Sequence, residues 1–211
     1  MIIFVAVLLG CEREIFLIDG GPLQGYQIEG LVVDRLNTPM RDVDVVLHYN
    51  FSYVDNGPAP SKSYTVTDPN QIIVVAVYDS EGQQVKTLYA GTYNTGSMTV
   101  LWDKKDAQGR DARSGVYTIR YMKDGQTVHS YDEVVTGTVT AKTDSLGRYI
   151  IPRSNLPVGY YPVYFSSTGG NYPGNYRITN QVLLEFYAGA RVRLVYVTLA
   201  RNQVTRYDVS F

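Results

Sequence analysis

The chain has 211 residues, 45% of them hydrophobic and 18% charged, a balance that builds a packed core and excludes a disordered tail. Nineteen Lys and Arg against twenty Asp and Glu leave a formal net charge of -1, so no whole-chain field exists to hold nucleic acid, and that class of partner is excluded. Nineteen Tyr and 19 Gly beside 9 Pro point to short strands joined by many turns, an all-β composition.

The first element in chain order is the apolar run Ile2 to Leu9. It is too short to span a bilayer core of about 30 Å, which needs roughly 20 helical residues. The run ends at Leu8-Leu9-Gly10-Cys11, and Cys11 is the only cysteine in the chain. This segment resembles the lipobox of bacterial lipoproteins. The resemblance implies a signal peptide over residues 1–10, recognition through Leu8, Leu9 and Gly10, and lipidation of Cys11, with residues 11–25 as the lipidated N-terminus and linker. At about 0.8 kcal/mol per buried methylene, two or three acyl chains hold such a protein on a membrane, so the expected location is the bacterial cell envelope, at the outer membrane or cell surface. A competing reading makes residues 1–18 the first strand, with Cys11 a small buried hydrophobe. A lone cysteine supplies no internal disulfide, so the core alone must hold the fold.

Past Asp19-Gly20-Gly21-Pro22 the pattern alternates with period two, each stretch bounded by turn residues. A strand is predicted over 26–33 and another over 43–49, where Val43, Val45, Leu47 and Tyr49 share a face and Asp44 and His48 take the other. Asn56-Gly57-Pro58-Ala59-Pro60 breaks the pattern. Further strands are predicted near 72–78, 83–89, 97–102, 115–122 and 126–133, with Asp124-Gly125 as a hairpin turn. Six more follow near 136–143, 148–151, 160–167, 176–187, 191–199 and 203–210. No window sustains a helical period, although 181–190 is ambiguous, and two β-sandwiches suit this spacing better than one.

Residues 67–133 resemble the immunoglobulin-like domain of flagellar hook-capping proteins, through Val77 to Gly82, Val85 to Leu88, Val100-Leu101-Trp102-Asp103, Asp106-Ala107-Gln108-Gly109 and Ser114-Gly115-Val116-Tyr117. Lys104 stands where that family commonly has glycine. Around it, Gly30 to Asp34, Pro39-Met40 and Val43 to Leu47, then Thr143 to Tyr149 and Leu156 to Tyr161, resemble the two halves of a carboxypeptidase regulatory-like (transthyretin-like) β-sandwich, with Asn37 and Asp42 in place of usual glycines. The two resemblances together imply an all-β chain in which residues 51–133 form an immunoglobulin-like domain inserted into a regulatory-like sandwich of residues 26–50 and 134–211. Insertion is thermodynamically mild, because loop-closure cost grows only with the logarithm of length.

Catalytic chemistry finds few residues. His48 and His129 are the only histidines, each on the more polar side of its strand, which suits a solvent-facing or hydrogen-bonding role even if they approach in space. With Cys11 given to the lipobox no Cys–His pair remains, and no Gly-x-Ser-x-Gly, phosphate-loop, His-Glu-x-x-His or dinucleotide motif occurs. The regulatory-like resemblance concerns an accessory domain and carries none of the peptidase zinc ligands. Asp103, Asp106 and Asp111, with Gln108 and Gly109 between, offer oxygens that suit calcium, but turn capping explains Asp and Gly there without an ion. Met98, Val100 and Trp102 alternate on one face, which makes Trp102 a core residue. Tyr160, Tyr164, Tyr172 and Tyr176, interrupted by Ser166 to Asn171 and Pro173-Gly174-Asn175, form a candidate binding surface on a strand and loop, whereas Tyr161 is expected to be buried beside Val163 and Phe165.

The expectation is a non-enzymatic envelope lipoprotein without a cofactor, acting as a scaffold or contact module for other envelope proteins or copies of itself. Two alternatives are a glycan-binding or adhesion lipoprotein using the tyrosines, and a subunit of an extracellular assembly whose strand edges pair between copies. An enzyme ranks last.

Overall fold

A computed structural model describes residues 25–55, 60–167 and 170–211, with the backbone alone over 162–167 and 170–174. The described chain is all-β. In chain order its strands are β1 (Tyr26–Val33), β2 (Asp44–Asp55), β3 (Ser63–Val66), β4 (Gln71–Tyr78), β5 (Gln84–Tyr93), β6 (Gly96–Thr99), β7 (Gly115–Lys123) and β8 (Gln126–Val135). There follow β9 (Thr138–Lys142), β10 (Arg148–Ile151), β11 (Gly159–Ser167), β12 (Gly170–Ala188), β13 (Arg191–Thr198), β14 (Gln203–Arg206) and β15 (Val209–Ser210), with a 3-10 turn at Arg153–Asn155.

One pair of sheets is built from both ends of the described chain. β1 runs antiparallel to β10 and parallel to β14 and β15. Opposite it, β2 is central, with β9 on one side and β12 on the other; β11 and β13 follow each other along the far side of β12. Inward side chains of the two sheets make one apolar core, including Ile28, Leu47, Tyr149, Ile151, Leu184 and Phe186. A second core lies within residues 66–135, between the sheet β5-β4-β7-β8 and the antiparallel pair β3-β6, and holds Ile73, Val75, Trp102, Tyr117, Ile119 and Tyr121. Burying one large aliphatic side chain of this kind contributes about 1.5–3 kcal/mol, so alternation is the feature that selects these strands.

The two cores meet at a buried polar seam. The Ser114 hydroxyl donates to the Leu47 carbonyl at 2.7 Å, and the Asn155 side-chain amide donates to the Ser114 carbonyl at 2.7 Å. The Tyr49 hydroxyl in turn donates to the Asn155 carbonyl at 2.8 Å. Satisfying these groups is obligatory because a buried, unpaired carbonyl or hydroxyl costs about 1–3 kcal/mol.

Several predicted boundaries move. The strand predicted to end at Tyr49 continues to Asp55, because β12 offers partners to Phe51, Ser52, Tyr53 and Asp55. The sequence pattern predicts no strand over 63–66; β3 is four residues long and exists by pairing with β6. The Gly- and Asn-rich stretch expected to form a loop around 166–175 is instead most of a hairpin, with Ser167 paired to Gly170 and Tyr164 to Pro173. Over 170–174 β12 has a described partner on one side only, where proline and glycine are tolerated. The last predicted strand splits into β14 and β15 at Tyr207-Asp208, where the Tyr207 amide donates to the Glu29 carbonyl and the Asp208 carboxylate accepts the Leu31 amide. Asp124 and Gly125 form the predicted hairpin turn, at φ 50° and 77° between paired Lys123 and Gln126.

Candidate functional sites

The lipobox residues Leu8, Leu9, Gly10 and Cys11, and the signal peptide they define, lie outside the described residues. No helix among the described residues is long and apolar enough to cross a membrane, which leaves membrane-spanning strands unaddressed.

Asp106 belongs to a turn that recurs four times among the described residues. At Asp34, Asp79, Asp106 and Asp144 the carboxylate accepts the amides two and four residues on, and the backbone carbonyl accepts the amide three residues on. The residue at that third position is left-handed each time: Asn37, Gly82, Gly109 and Gly147, at φ 60°, 78°, 79° and 71°. This Asp-x-x-Gly/Asn-x repeat is the signal in the sequence that explains the candidate calcium loop, since the carboxylate serves backbone amides that the turn leaves open.

The other two acids are spent on cations. Asp103 receives the Lys86 ammonium at 2.9 Å on both oxygens, and Asp111 receives Lys105 at 2.5 Å. The Lys86 hydrogen bond holds the Asp103 carboxyl below its ordinary range. For Asp106, burial pushes the carboxyl up, but the Arg110 and Gln108 amides and the Arg110 guanidinium prevail and lower it. The Asp111 contact raises Lys105. Among the described residues no group of three or more His, Cys, Asp or Glu is placed to hold a metal ion. Trp102 is buried against Tyr117, ring centroids 4.8 Å apart, and its indole N–H donates to the Lys105 carbonyl at 2.8 Å. The three positions where a glycine is usual in the resembled families, Asn37, Asp42 and Lys104, all sit at positive φ, at 60°, 60° and 58°.

The structure divides the tyrosine surface. Tyr161 pairs with Tyr176 across the β11–β12 hairpin and Tyr160 with Arg177, so Tyr160 and Tyr176 project from opposite faces and do not form one surface. Tyr176 is half-buried and meets Tyr53 edge-on at 5.7 Å, while Tyr161, partly buried against the first core, has its phenol pushed up by burial. Tyr160 is 66% exposed, with the Arg177 guanidinium 5.6 Å from its ring centre. The backbones of Tyr164 and Tyr172 lie in β11 and β12, and their side chains are outside the described set. Tyr160 and Arg177 border a shallow cleft of about 780 Å³, shared with Tyr26, Val158, Arg201 and Asn202.

The two histidines have separate surroundings. His48 on β2 places Nε2 3.4 Å from a carboxylate oxygen of Glu185, without hydrogen-bond geometry, and Glu185 is already held by the Tyr187 hydroxyl at 2.6 Å. His129 on β8 sits among Tyr64, Tyr121 and Tyr131, and its Nε2–H donates to the Ser61 carbonyl at 2.8 Å.

Comparison with known proteins addresses the second core. Residues 50–126 match the family described as the FlgD Ig-like domain. Among solved structures, the crystal structure of FlgD from P. aeruginosa is similar at 22% identity over 51% of this chain and 82% of that one, with a TM-score of 0.30. No curated protein matches. The chain therefore carries an immunoglobulin-like β-domain of the hook-capping type, and the second core extends this unit through Tyr131 and Val135 of β8.

Proposed function

We propose that this protein is a non-enzymatic structural module of the bacterial cell envelope, held at a membrane through Cys11 and offering its β-domains as a scaffold or contact surface to other envelope proteins. The observation that carries the reading is the hook-capping-type immunoglobulin-like segment set within a larger β-fold. It is supported by the structural use of four of the candidate polar groups: Asp103, Asp106 and Asp111 serve turns and lysines, and His129 serves a backbone carbonyl. In this reading residues 51–133 are an insertion in a regulatory-like sandwich, and the seam at Ser114 and Asn155 sets the two units in register.

The test is cross-linking followed by affinity purification from native membranes. Recovery of the chain with defined envelope proteins, or with copies of itself, supports the scaffold; recovery only as a soluble single chain opposes it. A carbohydrate-binding role has one observation in its favour, the exposed Tyr160 beside Arg177 at the cleft. Glycan-array binding abolished by Tyr160→Ala would replace the scaffold reading with that one.

A further inference from the structure

β13 is the outer strand of its sheet: among the described residues it pairs with β12 and with no other strand. Its side chains on the outer sheet face are Val192, Leu194 and Tyr196, exposed by 44%, 62% and 81%. An uncovered strand edge presents a row of unpaired amides and carbonyls, and natural edges are ordinarily blunted by charged side chains, lysine above all, by proline or by a bulge. β13 contains no lysine or proline, and its eight consecutive pairs with β12 run without a register shift. Its two charges, Arg191 and Arg193, sit near one end, and Arg191 is turned over the Phe211 ring, 5.3 Å from its centre.

We infer that this edge is a self-association surface, on which β13 of a second copy pairs antiparallel about a two-fold axis centred on Val195. That register places Leu194 opposite Tyr196 of the second copy, and Tyr196 opposite Leu194, so an apolar row meets its own reverse. Arg193 then falls opposite Val197 and Arg191 opposite Leu199, so no arginine is a direct or diagonal neighbour of its counterpart. Shifting the centre to Leu194 would bring the two Arg193 residues into diagonal contact, which selects the Val195 register. The net charge of -1 imposes little repulsion between copies. Pairing joins two five-stranded sheets into one continuous sheet. Eight residues a side is fewer than the roughly 20–30 of a standard interface, so a weak dimer is expected, which co-tethering on one membrane would favour. The inference does not depend on lipidation of Cys11 or on capture of other proteins, so its failure and theirs are separable.

Sedimentation equilibrium of the full chain in mild detergent, from about 5 to 500 µM, tests it. The wild type should pass from monomer to dimer. Leu194→Lys with Tyr196→Lys sets like charges opposite each other and should weaken association at least tenfold, with unchanged melting because both positions are exposed. The matching pair Leu194→Glu with Tyr196→Glu should also be monomeric alone, and mixing the two variants should restore a one-to-one dimer. A wild type that stays monomeric throughout, variants that dimerise as well as wild type, or a mixture that fails to associate would each overturn the inference.

Discussion

Replacing Gly30 by alanine puts a methyl group where the backbone of Tyr207 already sits. A Cβ at that position would lie 1.8 Å from the Tyr207 carbonyl oxygen and 2.7 Å from a ring carbon of Tyr149. The obstacle is largely main chain, so relief requires moving the Tyr207-Asp208 link between β14 and β15 off β1. That movement strains three hydrogen bonds: Tyr207 amide to Glu29 carbonyl at 2.9 Å, Leu31 amide to Asp208 carboxylate at 2.8 Å, and Tyr149 hydroxyl to Tyr207 carbonyl at 2.7 Å. Overpacking costs about 1–3 kcal/mol and each net hydrogen bond about 0.5–1.5 kcal/mol, giving a loss of about 2.5–7.5 kcal/mol if all three bonds go. Gly82→Ala is the control: its φ is +78°, but nothing lies within 4 Å of the added Cβ. Left-handed strain of roughly 1–2 kcal/mol, reduced by the smaller unfolded-state freedom of alanine, leaves a cost of about 1 kcal/mol there. Urea unfolding followed by far-UV circular dichroism measures both, and Trp102 fluorescence reports separately on the second core. A Gly30→Ala cost no larger than that of Gly82→Ala would refute the packing argument.

Lys104→Gly should stabilise the chain by about 0.5–1 kcal/mol, because it relieves a left-handed residue at φ 58°; Asn37→Gly should gain less, since asparagine tolerates that region, and thermal melting of the two variants compares them. Asn155→Ala removes the donor to the buried Ser114 carbonyl and should cost about 1–3 kcal/mol in urea unfolding, whereas no loss would mean the seam does not hold the two units. Burial pushes the phenols of Tyr49 and Tyr149 well up, and that of Tyr117 up to about 12. A phenol is neutral when protonated, so these raised values contribute stability that is fully present below the unfolded pKa of about 10 and lost as pH rises through the folded values. Absorbance at 295 nm, followed together with circular dichroism, should therefore show these buried phenols ionising late and cooperatively with alkaline unfolding; complete phenolate formation with the fold intact would contradict the burial.

Much of the fold was legible because alternation is a direct consequence of burying one face of a strand. Val43, Val45, Leu47 and Tyr49 announced β2, and Asp124-Gly125 announced its hairpin, from local chemistry alone. What was not legible depended on partners distant in sequence. β2 runs past Tyr49 only because β12 lies alongside, β3 exists only opposite β6, and β12 carries Pro173 and Gly174 where composition alone reads as loop. The candidate sites followed the same division. Turn capping by Asp106 was readable from Asp and Gly at a fixed spacing, although its recurrence at Asp34, Asp79 and Asp144 emerged only from the hydrogen bonds. The grouping of Tyr160 with Tyr176 failed because facing depends on hairpin register, and that register pairs Tyr176 with Tyr161. Likewise, the exposed row on β13 reads in sequence as an ordinary alternating strand, and only the strand pairing shows that its outer edge has no partner strand among the described residues.

The most direct test of the proposed envelope role is mass spectrometry of the N-terminal peptide of the protein isolated from its native host. The account predicts a membrane-fraction protein beginning at Cys11, with a diacylglyceryl group on the sulfur and residues 1–10 removed. A soluble protein that keeps those residues and carries an unmodified Cys11 thiol would contradict it.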